Sequence, residues 1–208
     1  MIRLDAATVL LQWATGGLAF LWVTTRRREV SLGYGWLLRG TYGLMALVAL
    51  FLGQRYGEAV VVRDVASAGV ALATGVAMLV SIQRKAAGVA GERQRVEARS
   101  ARVTAMTGID RQREAIDEDA PEFPPALDLI APIIGVIGLI AAGVAAGDPD
   151  AFSVARVVVG AAFLGSVTDA MLLGHWYLVQ PGMPRGPLLE MVRWVGRASC
   201  RERVLDHV

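Results

Sequence analysis

The sequence predicts an all-α fold: a polytopic membrane bundle of about five transmembrane helices, with a charged helical loop and a C-terminal interfacial helix. Three observations carry this expectation. The chain is 54% hydrophobic, and the apolar residues sit in long runs nearly free of charge. Its basic residues cluster in a few segments between those runs. Trp22, Tyr34, Trp36, Tyr56, Trp176 and Tyr177 fall near the ends of the runs, where amphipathic rings prefer the headgroup region.

The first run, Ala6–Thr25, has the roughly 20 residues needed to cross the hydrocarbon core. Its apolar stretch is too long for a signal-peptide core, no A-x-A site follows it, and the charges Arg26, Arg27 and Arg28 come after it. It is expected to be a retained span. The second span is expected over Trp36–Gly53 and the third over Val65–Ile82, so residues 1–83 form a three-helix unit. In the third span Gly69, Ala73 and Ala77 recur every four residues. Such a small-residue stripe lets another helix approach closely, and the fourth span is its expected neighbour.

Residues 84–125 break the apolar pattern. Arg, Glu, Gln and Ala dominate the stretch, no proline precedes Pro121, and Val89, Val96 and Val103 are seven apart. These features predict at least one helix within 84–118, on the cytoplasmic side. The acidic run Asp117, Glu118, Asp119 and the prolines at 121, 124 and 125 close the loop.

The next unit, 126–180, holds two more spans. Ala126–Gly147 is the most apolar, and Pro132 lies close enough to its start either to kink it or to be tolerated in the first turns. Asp148, Pro149 and Asp150 form a turn, and the fifth span runs from Ser153 to Val179 until Pro181 and Pro184 stop it. In the tail, 181–208, Leu188, Met191, Val192 and Val195 share one helical face, which predicts a short interfacial helix over Pro187–Val195. Residues 198–208 show no hydrophobic period and read as an irregular terminus, or as the remnant of a truncated or shifted reading frame.

Orientation follows from the arginines. Of 21 basic residues, only Arg3, Arg55, Arg63 and Arg156 fall in segments on the N-terminal side of the bundle, which leaves 17 on the other. The positive-inside rule therefore places the N-terminus outside and the C-terminus in the cytoplasm of a cell-membrane protein.

Composition excludes several chemistries. A net charge of +2 gives no field suited to nucleic acid. The single cysteine, Cys200, excludes an intramolecular disulfide and a cysteine metal cluster. Of the two histidines only His175 lies near a span, so a bis-histidine haem is not expected, nor any metal or other cofactor. No HExxH, GxSxG or paired intramembrane aspartates occur, so no catalytic residue is assigned. Gly33, Tyr34 and Gly35 resemble a filter fragment but lack the Thr-Val that would precede it.

Asp169 is the most informative residue. A carboxyl at membrane depth costs about 2.5–3.5 kcal/mol on insertion scales. Seven residues before Trp176, it lies about 10 Å inside the boundary by helix rise. It reads either as a packing acid or as a proton or cation site, with Ser166 on the same face. His175 reads as a belt residue or as a proton acceptor at the membrane edge. Arg39 either snorkels or reaches Asp169, and their matched depths predict a contact if the second and fifth spans are neighbours. Gln12 reads as an interhelical hydrogen-bonding residue or, alternatively, as a pore-lining one.

Two functions follow as expectations. One is an accessory or scaffolding subunit, with the bilayer and a partner membrane protein or a second copy as its partners. The other is a small transporter or proton-conducting component centred on Asp169.

Overall fold

The computed structural model describes residues 5–27, 29–57, 60–84, 123–146, 151–179, 183 and 185–206. Among them no strand occurs, and five helices are long and apolar enough to cross a membrane. The chain is therefore a multi-pass membrane protein of the all-α class. The helix expected within 84–118 falls almost entirely on residues 85–122, which lie outside the described set.

Helix α1 spans Ala6–Thr25, α2 Leu32–Tyr56 and α3 Val61–Gln83. A 3-10 turn at Pro125–Leu129 leads into α4, Ile130–Ala145. Helix α5 covers Ala151–Val179 and α6 covers Gly186–Asp206. Asp5 caps α1, accepting a hydrogen bond from the Thr8 N–H at 2.8 Å. Asp64 lies in the first turn of α3, where a negative charge complements the helix dipole. Pro132 sits in the first turn of α4, where its missing N–H would have had no intrahelical acceptor.

Several helices differ from their sequence-based spans. Helix α2 begins at Leu32 rather than Trp36 and α3 at Val61 rather than Val65, because a helix continues past the apolar core that marks a span. The α-helical part of the fourth span starts only at Ile130, since Pro124 and Pro125 leave the preceding turn in 3-10 form. The largest difference is α6. It extends to Asp206, through most of the stretch expected to be irregular. Ala198, Arg201, Glu202, Arg203 and Leu205 in that extension have good helix propensity without any hydrophobic period.

Helix α1 is the centre of the bundle. Helices α2, α3, α4 and α5 pack in that order as an arc around it, and α6 packs on α5. Three adjacent residues of α1 serve three neighbours. A Cβ on Gly16 would lie 1.8 Å from the Ala161 carbonyl oxygen of α5, and one on Gly165 would lie 2.1 Å from the Gly16 carbonyl carbon. A Cβ on Gly17 would lie 2.0 Å from the Tyr42 ring of α2. Thr15 faces α4, at a position that a Cβ on Gly135 would approach to 2.2 Å. Backbones at such separations gain dispersion contact that lipid cannot supply.

The α3–α4 seam is also built of small residues. Ala66 meets Gly138, where a Cβ would come within 2.5 Å. Gly69 faces Ile134 of α4, Ala73 is half-buried against the core, and Ala77 is buried beside Phe123. The stripe residues thus meet two different neighbours, and Ala66 supplies the tightest contact with α4.

Candidate functional site

Among the described residues the buried charged side chains form three groups. The deepest centres on Asp169 of α5, which is 0% exposed. Tyr42 of α2 donates a short hydrogen bond from its hydroxyl to Asp169 Oδ1. Its ring reaches α5 across α1 over Gly17, where any side chain would block it. Tyr34, two turns nearer the α6 end on α2, donates to the Asp169 carbonyl at 3.3 Å. Trp176 packs at 5.9 Å between ring centres against Tyr34 and donates to Ser31 Oγ at 2.9 Å. Asp169 Oδ2 has no hydrogen-bond partner among the described residues. The carboxyl is thus held at one oxygen by a hydroxyl, and no described cation pairs with it.

The second group lies at the α6 end. Arg39 of α2 forms a two-pronged ion pair with Asp128 of the 3-10 turn: Nε to Oδ1 at 2.8 Å and Nη2 to Oδ2 at 2.6 Å. Both side chains are nearly inaccessible, at 3% and 2%. Ser81 of α3 accepts from Arg39 Nη1 at 3.3 Å and from Trp36 Nε1 at 3.1 Å. Phe123 covers the guanidinium at 4.6 Å. Planar pairing, a hydroxyl and an aromatic lid together satisfy a buried guanidinium well.

The third group lies at the opposite end. Arg63 of α3 is buried and pairs with Asp5, through a short contact, and with Asp64 at 2.9 Å. It also donates to Thr8 Oγ1 at 3.4 Å. A Cβ on Gly53 would stand 2.8 Å from an Arg63 nitrogen, so glycine there leaves the guanidinium its space. Burial alone would push the Asp5 carboxyl upward. Hydrogen bonds from Thr8 and the nearby Arg63 charge outweigh it and hold Asp5 below its ordinary value of 3.8.

These groupings revise the sequence reading. Arg39 does not meet Asp169. Its partner is Asp128, which lies just before the α-helical part of the fourth span, at the depth Arg39 reaches from α2. Helices α2 and α5 are separated by α1 over most of their length, and Tyr42 rather than Arg39 bridges them. Ser166 is buried and donates to the Phe163 carbonyl of its own helix at 3.0 Å, not to Asp169. His175 is exposed on α5 and makes no hydrogen bond or ion pair with a described residue. Gln12 donates to the Val157 carbonyl of α5 at 2.8 Å.

Sequence reasoning passed over Tyr42, Asp128 and the linking role of Arg63. A tyrosine hydroxyl in the middle of an apolar run was the available signal for Tyr42. Among the described residues no cluster of three or more metal-ligating side chains occurs.

The fold and its buried polar pairs define a multi-pass helix bundle cross-linked between helices at three depths. Compared with protein-family models, curated proteins and solved structures, the chain finds no match.

Proposed function

We propose that this protein is an accessory or scaffolding subunit of the cell membrane, with its N-terminus outside and its C-terminus in the cytoplasm. One observation carries the reading: each of the buried charged side chains Arg39, Asp128, Arg63 and Asp169, and buried Gln12, is bonded to another element of the bundle. Arg39 and Asp128 tie α2 to the turn before α4, and Arg63 and Asp5 tie α3 to the start of α1. Tyr42 and Asp169 tie α2 to α5, and Gln12 ties α1 to α5. Cross-links of this kind suit a rigid body that presents its surfaces to a partner membrane protein or a second copy. The cytoplasmic loop of residues 84–125 offers such a partner a charged docking segment. Helix α6 lies in the headgroup region, against the last turns of α1 and α5.

A second reading, a small proton-conducting component, is favoured by the free Oδ2 of Asp169, which has room in its bonding for a proton. Proteoliposomes loaded with a pH-sensitive dye separate the two. On the scaffold reading a proton gradient decays no faster than in protein-free vesicles, and Asp169→Asn changes nothing. Fast decay abolished by Asp169→Asn would replace the scaffold by the conductor. The scaffold reading further expects a stoichiometric partner, or a second copy, to co-purify in mild detergent and to be lost when residues 85–122 are deleted.

A further inference from the structure

Helix α6 turns one side to the bundle and leaves the other open. Met191 and Ala198, seven residues apart, are buried. Glu190 is clasped by Arg26 through a short contact and by Arg27 at 3.4 Å. One turn further on, Trp194 meets Phe20 edge-on at 5.8 Å. Phe20 lies six residues before Arg26 on α1, so α6 runs back alongside the end of α1 rather than away from it. By helix rise Phe20 is about 7 Å inside the end of α1, a depth typical of an amphipathic helix at the headgroup–acyl boundary.

The open side is amphiphilic. Leu189, Arg193, Arg197 and Cys200 follow one another at spacings of four, four and three, so they share a face. Leu189 and Val192 are 56% and 58% exposed. Gly196, four residues after Val192, borders open space, where a Cβ would meet nothing within 4 Å. The open side thus carries exposed Leu189 and Val192 beside two guanidiniums, that of Arg197 lying 5.4 Å over the Trp194 ring. Among the described residues Asp128 is paired with Arg39, Glu190 with Arg26 and Arg27, and Glu29 also has a partner. Arg185, Arg193 and Arg197 are exposed, and no described carboxylate pairs with them.

We propose that this face of α6 binds anionic phospholipid headgroups, with a phosphate between Arg193 and Arg197 and the adjoining acyl chain over Leu189, Val192 and Gly196. Guanidiniums recognise phosphate oxygens bidentately, and basic side chains held at the bilayer surface favour anionic over zwitterionic lipid. The inference rests on placing α6 in the headgroup region.

The native Cys200 is exposed on the same face and allows a direct test. The full-length protein, labelled there with an environment-sensitive fluorophore, is reconstituted in vesicles of phosphatidylcholine and phosphatidylglycerol. Bromine is carried on one lipid or the other. Brominated phosphatidylglycerol should quench the label at least ~2-fold more than brominated phosphatidylcholine at equal fraction. The preference should vanish in the double variant R193Q/R197Q and persist in R55Q, at the opposite end. Equal quenching by both lipids, or a preference that survives R193Q/R197Q, overturns lipid recognition while leaving α6 at the membrane. Quenching by neither means that a second copy or the loop of residues 85–122 covers the face, and it overturns the placement itself.

Discussion

The hydroxyl of Tyr42 donates to Oδ1 of Asp169 across the central helix, through a gap that exists because residue 17 is glycine. Two helices that α1 holds apart along most of their length are thereby joined inside the bundle. Removing the hydroxyl leaves both oxygens of a buried carboxyl without a donor. Tyr42→Phe should therefore lower stability by about 1 kcal/mol, the upper part of the range for hydrogen bonds between transmembrane helices. Thermal unfolding in mild detergent measures it, and an unchanged midpoint would show that the bond contributes nothing.

The glycines divide into those against which a neighbour is packed and those facing open space. Gly16→Ala places a methyl on the Ala161 carbonyl and should destabilise the protein strongly, by about 1–3 kcal/mol or more. Gly75→Ala, where a Cβ meets nothing within 4 Å, should be neutral or stabilise by about 0.5–1 kcal/mol through helix propensity. Equal melting temperatures for these two variants would contradict the packing of α1 on α5.

The Arg39–Asp128 pair is buried on both sides, so breaking it from one side strands a charge. Arg39→Met and Asp128→Leu should each cost about 3–5 kcal/mol, and the double variant should recover much of the loss. Urea unfolding of the four proteins in detergent gives the coupling. Additive losses would mean that the two residues act independently.

Asp5 supplies a pH dependence at the other end. Its folded value is depressed, so its contribution is present in full above the ordinary 3.8 and is lost as pH falls through the lower folded value. Stability should fall on acidification below about pH 4, and Asp5→Asn should flatten that part of the profile. A profile unchanged by Asp5→Asn would remove Arg63 and Thr8 as the cause.

Orientation can be read with reporter fusions. Fusions after Glu29, Gly91 and Arg197 should report the cytoplasm, and fusions after Glu58 and Asp148 the exterior. An exterior signal at Gly91 would invert the proposed topology.

The amino-acid sequence determined that the chain is a helical membrane protein and where its spans lie, because solvation by lipid demands long uncharged runs that composition alone displays. It also marked Asp169, since a carboxyl inside such a run stands out against apolar neighbours. What Asp169 touches was decided only by the tertiary structure. Depth along a helix can be counted from sequence, and by depth Arg39 and Asp169 matched. Which helices are neighbours depends on where glycines and alanines let backbones close, and those contacts placed α1 between α2 and α5. Arg39 was left to Asp128, and Tyr42 reached the carboxyl over Gly17. Helix α6 shows the same division: its charged C-terminal half carries no hydrophobic period, and its place against the bundle rests on buried Met191 and Ala198 and on the Glu190 contacts with the end of α1.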